Sequence, residues 1–315
     1  MSDLPKAVHI TEEGPREGFQ IEKAAIPTGR KIALIDALSQ TGLARIQIVS
    51  FVNPKAVPGM ADADEVVDGI TPRPGVAYTA LWLNEKGFER ALRHGRLANT
   101  GTIQLAASEK FSIRNQNRTA AQQLASQQNL VAMYRAADIT IERGSIMAAF
   151  GCNFAGDIPA SHIVTLVQQI LDVAQMHDVA LKYISLADTM AWATPLQIKR
   201  VLGALRERWP DLDFALHLHD TRGMAIANAF AGLEMGVSRF DAAVAGLGGC
   251  PFAGHQGAAG NVCTEDLVFM CNELGIETGI DLDLLIECAK LAEDIVGHPL
   301  PGAVMKGGTL QKFRA

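Results

Sequence analysis

Eight short apolar runs punctuate this chain, and most are followed by a stretch with helical spacing. The runs are residues 7–12, 44–51, 76–83, 102–107, 139–149, 180–187, 214–219 and 238–245. Several are apolar without a break, as parallel strands covered on both faces must be. Between them, residues 28–41 carry Ile32, Leu34, Ile35 and Leu38 on one helical face and end at Gly42, suited to the left-handed position after a helix. Residues 161–177 repeat the pattern with Ile163, Leu166, Val167, Ile170, Leu171 and Val173, and Pro195 opens a helix that Pro210 closes after Trp209. Such alternation implies a parallel sheet. Eight units in roughly 280 residues fit an α/β fold of the (β/α)8 TIM-barrel type better than an open doubly wound sheet. No Gly-x-Gly-x-x-Gly follows the first run, which argues against a dinucleotide-binding sheet. The expected organisation is one domain over residues 1–315, with the barrel at about 7–278 and a C-terminal helical extension at about 279–315. Leu284, Leu285, Cys288, Leu291 and Ile295 give that extension an apolar stripe, to pack on the barrel or on a second subunit, and a homo-oligomer is expected.

The net charge of −6 and the lack of any Lys/Arg block exclude a nucleic-acid partner. No apolar run reaches the ~18 residues of a bilayer span, so no membrane partner is expected. The start, Met1-Ser2-Asp3-Leu4-Pro5-Lys6, has no apolar leader. Cys152, Cys250, Cys263, Cys271 and Cys288 show no Cys-x-x-Cys spacing, and they read as thiols of a reducing compartment, hence a cytoplasmic location.

The seventh run ends in His217-Leu218-His219-Asp220. Residues i and i+2 of a strand share a side, so the two imidazoles project together, half of a divalent-metal site. Alternatively, one faces the core and the other caps the strand. After the first run comes Glu13-Gly14-Pro15-Arg16-Glu17-Gly18-Phe19-Gln20, where Glu17 offers a hard oxygen and Arg16 a guanidinium for an anion; a solvated charged turn is the plainer reading. After the last run, residues 246–261 hold six glycines with Cys250, His255 and Asn261. Cys250 is either an acid–base thiol on a closing loop or a small buried residue. Asn261 either caps the following helix or completes the metal shell. Cys152 reads as buried. Residues 52–64 and 108–118 are polar connections that belong on the same barrel face as the histidines.

As a set, these segments resemble the 3-hydroxy-3-methylglutaryl-CoA (HMG-CoA) lyase family. Residues 14–23 are similar to its GPRDGLQNEK motif, 50–55 to SFVSPK, 217–221 to HCHDT, and 244–268 to VAGLGGCP…GN-ATEDLV. The likeness runs from about residue 7 to 290. It implies Mg²⁺ or Mn²⁺ held by Glu17, His217, His219 and Asn261, and an acyl-CoA thioester substrate. Metal coordination would acidify the substrate hydroxyl, and retro-Claisen cleavage would give an acyl-CoA enolate and a keto acid. Arg16 would stabilise the enolate, Cys250 would transfer a proton, and Asp188 and His217 would complete the catalytic group. Gln20, Lys23, Gln47, Ser185 and His255 would contact the substrate, with Lys23 toward CoA.

Three positions depart from that family. Glu17 replaces Asp, Gln47 replaces a Glu that pairs with the arginine, and the loop from Cys250 to Asn261 is longer and holds His255. The second change leaves Arg16 without that charged partner and is expected to free it for a further anionic group. Together they point to a paralogous lyase on a different hydroxyacyl-CoA, with citramalyl-CoA and HMG-CoA as candidates. A Claisen-condensing acyltransferase of the isopropylmalate synthase type is a rival, disfavoured by the Gly248-Gly249-Cys250-Pro251 loop and by the end at Ala315. A non-catalytic acyl-CoA- or metal-binding barrel is another.

Overall fold

A computed structural model describes residues 4–249 and 260–314. A strand overlaps each of the eight runs: β1 (His9–Glu12), β2 (Arg45–Ser50), β3 (Ala77–Leu81), β4 (Gly101–Ala106), β5 (Ile141–Met147), β6 (Tyr183–Asp188), β7 (Asp213–Leu218) and β8 (Arg239–Ala242). All ladders are parallel, in the order β3-β2-β1-β8-β7-β6-β5-β4, and the sheet curls into a (β/α)8 barrel. Outside it lie α1 (Phe19–Ile21), α2 (Thr28–Leu38), α3 (Ala63–Gly69), α4 (Glu85–Ala91), α5 (Glu109–Gln116), α6 (Ala120–Ala136), α7 (Ala160–Met176), α8 (Pro195–Arg208), α9 (Ala225–Glu234), α10 (Thr264–Glu273), α11 (Leu282–Val296) and α12 (Val304–Gly307).

Helix α7 buries Ile163, Leu166, Val167, Ile170 and Val173 on the sheet, the stripe its sequence predicts. Helix α8 begins at Pro195, with the Thr194 side chain accepting from Gln197 N–H as its N-cap. In the extension, Asp281 caps α11, which buries Leu285, Cys288 and Ala289 and packs on α2 and α10 of its own chain. Among the described residues, one large apolar cluster draws on the chain from Val8 to Met305, and a smaller one gathers Ala106, Phe111, Ala148, Cys152 and Met190. Among the described residues, no helix is long and apolar enough to cross a membrane. Cys152, Cys263, Cys271 and Cys288 are all free and buried.

Two local expectations are corrected. Helix α2 stops at Leu38, where the Ser39 and Thr41 hydroxyls take the carbonyls of Asp36 and Leu38. Gly42 is therefore not its cap; φ there is +94° and an added Cβ would sit 2.3 Å from Gly279 O, so close chain approach demands glycine. Residues 108–118 are not a loop. The Ser108 side chain caps α5 by accepting from Phe111 N–H, and Phe111 packs inward.

Among the described residues no ladder joins β3 to β4. The β4 amides of Gln104 and Ala106 donate instead to the side-chain oxygens of Gln127 and Gln123, at 2.7 and 2.9 Å. Two amides one turn apart on α6 thus satisfy an edge that would otherwise be orphaned. Inside the barrel the strands present Thr11, Arg45, Gln47, Thr79, Thr102, Gln104, Arg143 and Ser145 rather than the branched aliphatics that usually fill such an interior. A cavity of about 240 Å³ follows these residues from the carboxyl-terminal mouth inward.

Candidate active site

The chain leaves β1 through a single wide turn of π-helix, Gly14–Gly18, all of it buried. Glu13 O accepts from both Arg16 and Glu17 N–H at its start, at 3.1 and 2.7 Å. Such a turn swings side chains out of helical register, a device common at functional sites. Here it directs Glu13, Arg16 and Glu17 into the cavity. Glycine is needed at both ends, because a Cβ on Gly14 would lie 2.6 Å from Glu12 Oε1 and one on Gly18 2.7 Å from Leu247. Glu12 secures the turn from below. Its Oε1 accepts from Gly14 and Val244 N–H, and its Oε2 from the Thr264 hydroxyl at 2.6 Å.

At the end of β7, His217 and His219 converge as the i, i+2 rule requires, with Nε2 atoms 3.0 Å apart. Glu17 Oε1 lies 3.2 Å from His219 Nε2 and 3.7 Å from His217 Nε2. Residues 260–262 run antiparallel beside His219: Asp220 N–H donates to Gly260 O, Val262 N–H to Leu218 O, and Asn261 bridges to His219. Asn261 is buried and neither side-chain atom has a hydrogen-bond partner. It is not a helix cap, since α10 starts at Thr264 with Cys263 at its N-cap. A buried, unpaired amide oxygen beside two facing imidazole nitrogens and a carboxylate is a donor set short of one cation. Gly248, at φ +97°, makes room; a Cβ there would lie 3.0 Å from both Asn261 Oδ1 and Glu17 Cγ.

Arg16 has no carboxylate at residue 47, yet it is not left free. Its Nε donates to Gln47 Oε1 at 2.5 Å, its Nη2 to Glu13 Oε2, and its Nη1 lies 2.9 Å from Glu17 Oε2. Burial works to raise the Glu17 carboxyl, but Arg16 and His217 outweigh it and hold it well below the usual range. Burial opposes charge on His217 too, yet Glu17 and Asp241 lift it to about 10. Burial pushes Glu13 up to about 7 despite Arg16. Asp241 is held at about 2, because Arg143 overcomes burial.

A family model described as HMGL-like matches residues 7–292. The chain belongs to the HMGL-like family. A mitochondrial hydroxymethylglutaryl-CoA lyase of Gallus gallus is 44% identical over 284 residues, covering 90% of this chain and 92% of its own. The crystal structure of a Bacillus subtilis HMG-CoA lyase superposes at a TM-score of 0.89 with 37% identity, over 100% of both chains. An HMG-CoA lyase of Acinetobacter baumannii, solved with coenzyme A and 3-methylmalate, superposes at 0.87 with 39% identity, over 98% of this chain and 97% of that one.

Of the residues singled out in this HMGL-like chain, Arg16, Glu17, Gln20, Gln47, His217 and His219 line the cavity together. Gln20 accepts from the Ser50 hydroxyl at 3.1 Å. Ser185 lies deeper and does not line the cavity; its hydroxyl accepts from Arg143 Nη2 at 2.7 Å. The Asp188 carboxylate turns into its own loop to accept from Trp192 and Ala193 N–H, and burial raises it to about 6. Lys23 is exposed, outside the cavity. Cys250 and His255 lie outside the described residues. The reading of Cys152 as buried agrees with its packing against Phe111 and Met190. Three residues went unnoticed as site components. Buried Glu13 and Asp241, with half-buried Arg143, form a charged layer beside His217, and the only sequence signal for Glu13 is its three-residue spacing from Arg16.

Proposed function

We propose that this protein is a divalent-metal-dependent carbon–carbon lyase that cleaves a 3-hydroxyacyl-CoA by retro-Claisen chemistry. The observation that carries the reading is the convergence of Glu17, His217 and His219 on a cavity that Arg16 also faces, with the buried, unpaired Asn261 oxygen close to Glu17. These four residues would hold the ion, and their two imidazoles and two oxygens suit Mg²⁺ or Mn²⁺. Such an ion supplies Lewis acidity, lowering the proton affinity of a substrate hydroxyl.

The chain's own residues account for the rest. The substrate O–H electron pair becomes a carbonyl, and the adjacent C–C bond pair passes to the α-carbon of the departing thioester as an enolate. Arg16 commits three of its five N–H donors to Gln47, Glu13 and Glu17, so two are left to meet the enolate oxygen. The hydroxyl proton passes to a base, a role we assign to Asp188: burial raises it to about 6, and it must turn from the Trp192 and Ala193 amides to reach the cavity. The enolate then takes a proton, a role we assign to Cys250. Gln20 and Gln47 flank the cavity as polar contacts for the acyl portion.

Two thioesters are the leading substrates. HMG-CoA would yield acetyl-CoA and acetoacetate, in keeping with the names of the relatives. Citramalyl-CoA would yield acetyl-CoA and pyruvate. It presents a hydroxyl next to a carboxylate, as does the 3-methylmalate in the A. baumannii structure. Incubating the purified protein with Mn²⁺ and each thioester, and identifying the keto acid by mass spectrometry, separates them. Acetyl-CoA from neither, with Mn²⁺ bound, would contradict the lyase reading for both.

A further inference from the structure

We propose that Glu13 is a positioning residue with two separable tasks, orienting Arg16 and fixing the ring of His217. The inference rests on the lyase reading for the first task only. Glu13 is 2% exposed, so its carboxylate is bound by protein groups rather than by water. Its Oε2 accepts from Arg16 Nη2 and lies 3.5 Å from His217 Nδ1. His217 turns its other nitrogen, Nε2, toward His219 and Glu17. An imidazole that ligates through one nitrogen is aimed by the acceptor on the other. Asp241 Oδ2 flanks the same Nδ1 at 3.4 Å, and each of the two oxygens is also claimed by an arginine, Asp241's by Arg143 and Glu13's by Arg16. Glu13 therefore shares the hold on the ring.

The case for Arg16 is one of charge. Two carboxylates touch its guanidinium, Glu13 and Glu17, while Gln47 contributes a neutral oxygen at Nε. Glu17 is also the carboxylate that faces the histidines. Once Glu17 shares its charge with a cation, Glu13 is the anionic partner left to Arg16. A bidentate-capable guanidinium needs such a partner to keep one orientation. The Gln47 oxygen, 2.5 Å from Nε, marks where a second carboxylate would do the same work.

The two tasks separate in one set of variants. Glu13→Gln is expected to weaken Mn²⁺ binding, read by electron paramagnetic resonance, by about tenfold, and to lower kcat by about 10- to 100-fold with little change in KM. Adding Gln47→Glu to that variant restores the anion to Arg16 but not to His217. It should recover about tenfold in kcat while Mn²⁺ binding stays weak. Glu13→Asp, withdrawn by one methylene, serves the same comparison if Glu13→Gln does not fold. Unchanged Mn²⁺ affinity in Glu13→Gln overturns the hold on His217. Absence of kcat recovery overturns the hold on Arg16. A wild-type protein that cleaves neither thioester removes the Arg16 half together with the lyase reading, and the Mn²⁺ titration then decides the His217 half alone.

Discussion

His217 and His219 face each other through Nε2 atoms 3.0 Å apart, with Glu17 Oε1 3.2 Å from the second. Two such nitrogens can share one proton or one cation between them. His217 is held as the imidazolium, at about 10, because Glu17 and Asp241 overcome its burial. A metal ion must displace that proton. Mn²⁺ affinity should therefore rise by about tenfold per pH unit across the neutral range. Calorimetry in buffers of different ionisation enthalpy should show proton release on binding. Affinity flat between pH 6 and 8 would contradict a protonated His217 in the metal-free protein.

Arg16 meets its neighbours along three edges of one planar group. A lysine keeps the charge but cannot serve Gln47, Glu13 and the substrate at once. Arg16→Lys should lower kcat by about 10²- to 10³-fold while Mn²⁺ still binds. Steady-state kinetics beside a Mn²⁺ titration checks this, and near wild-type turnover would remove Arg16 from the chemistry.

Beneath the site, burial raises both Glu12 and Glu265 from the ordinary 4.5 to about 7. The folded state then binds more protons than the unfolded chain between those values. Stability contributed by these groups is highest below about pH 4.5, declines as pH rises toward 7, and levels off above it, with about 3 kcal/mol at stake for each. Glu12→Gln keeps an acceptor for Gly14 and Val244 but cannot ionise. Urea unfolding from pH 4.5 to 8 should show the variant gaining on wild type as pH rises; a difference independent of pH would refute the assignment.

Gln127 and Gln123 stand in for a strand beside β4. Gln127→Leu leaves the Gln104 amide without its acceptor in a mostly buried setting, which costs about 1–3 kcal/mol. Chemical denaturation measures that loss directly, and a neutral effect would mean the seam finds another acceptor.

Much of this was legible because it is local. Strand runs and helical stripes follow fixed periods, so residues 163–173 announced α7 as a sheet-facing helix. The i, i+2 rule alone brought His217 beside His219. What escaped depends on chain geometry that no period encodes. The π-helical turn after β1 places Glu13 against Arg16, so losing a carboxylate at residue 47 did not leave the guanidinium unpaired. Asn261 looked like a cap because it precedes a helix, but pairing of residues 260–262 with the end of β7 turned it toward His219. Nor does any local period mark Gln123 and Gln127 as acceptors for a sheet edge, which only the open seam beside β4 makes them.

These residues would cleave a carbon–carbon bond with the help of a metal ion. The most direct test is to strip the protein with a chelator, add HMG-CoA or citramalyl-CoA, and follow acetyl-CoA as Mn²⁺ is titrated back. The account predicts no acetyl-CoA before the metal, and after it one acetyl-CoA for each acetoacetate or pyruvate, with the response lost in His219→Ala. Cleavage that proceeds equally in stripped protein, or that survives His219→Ala, would contradict it.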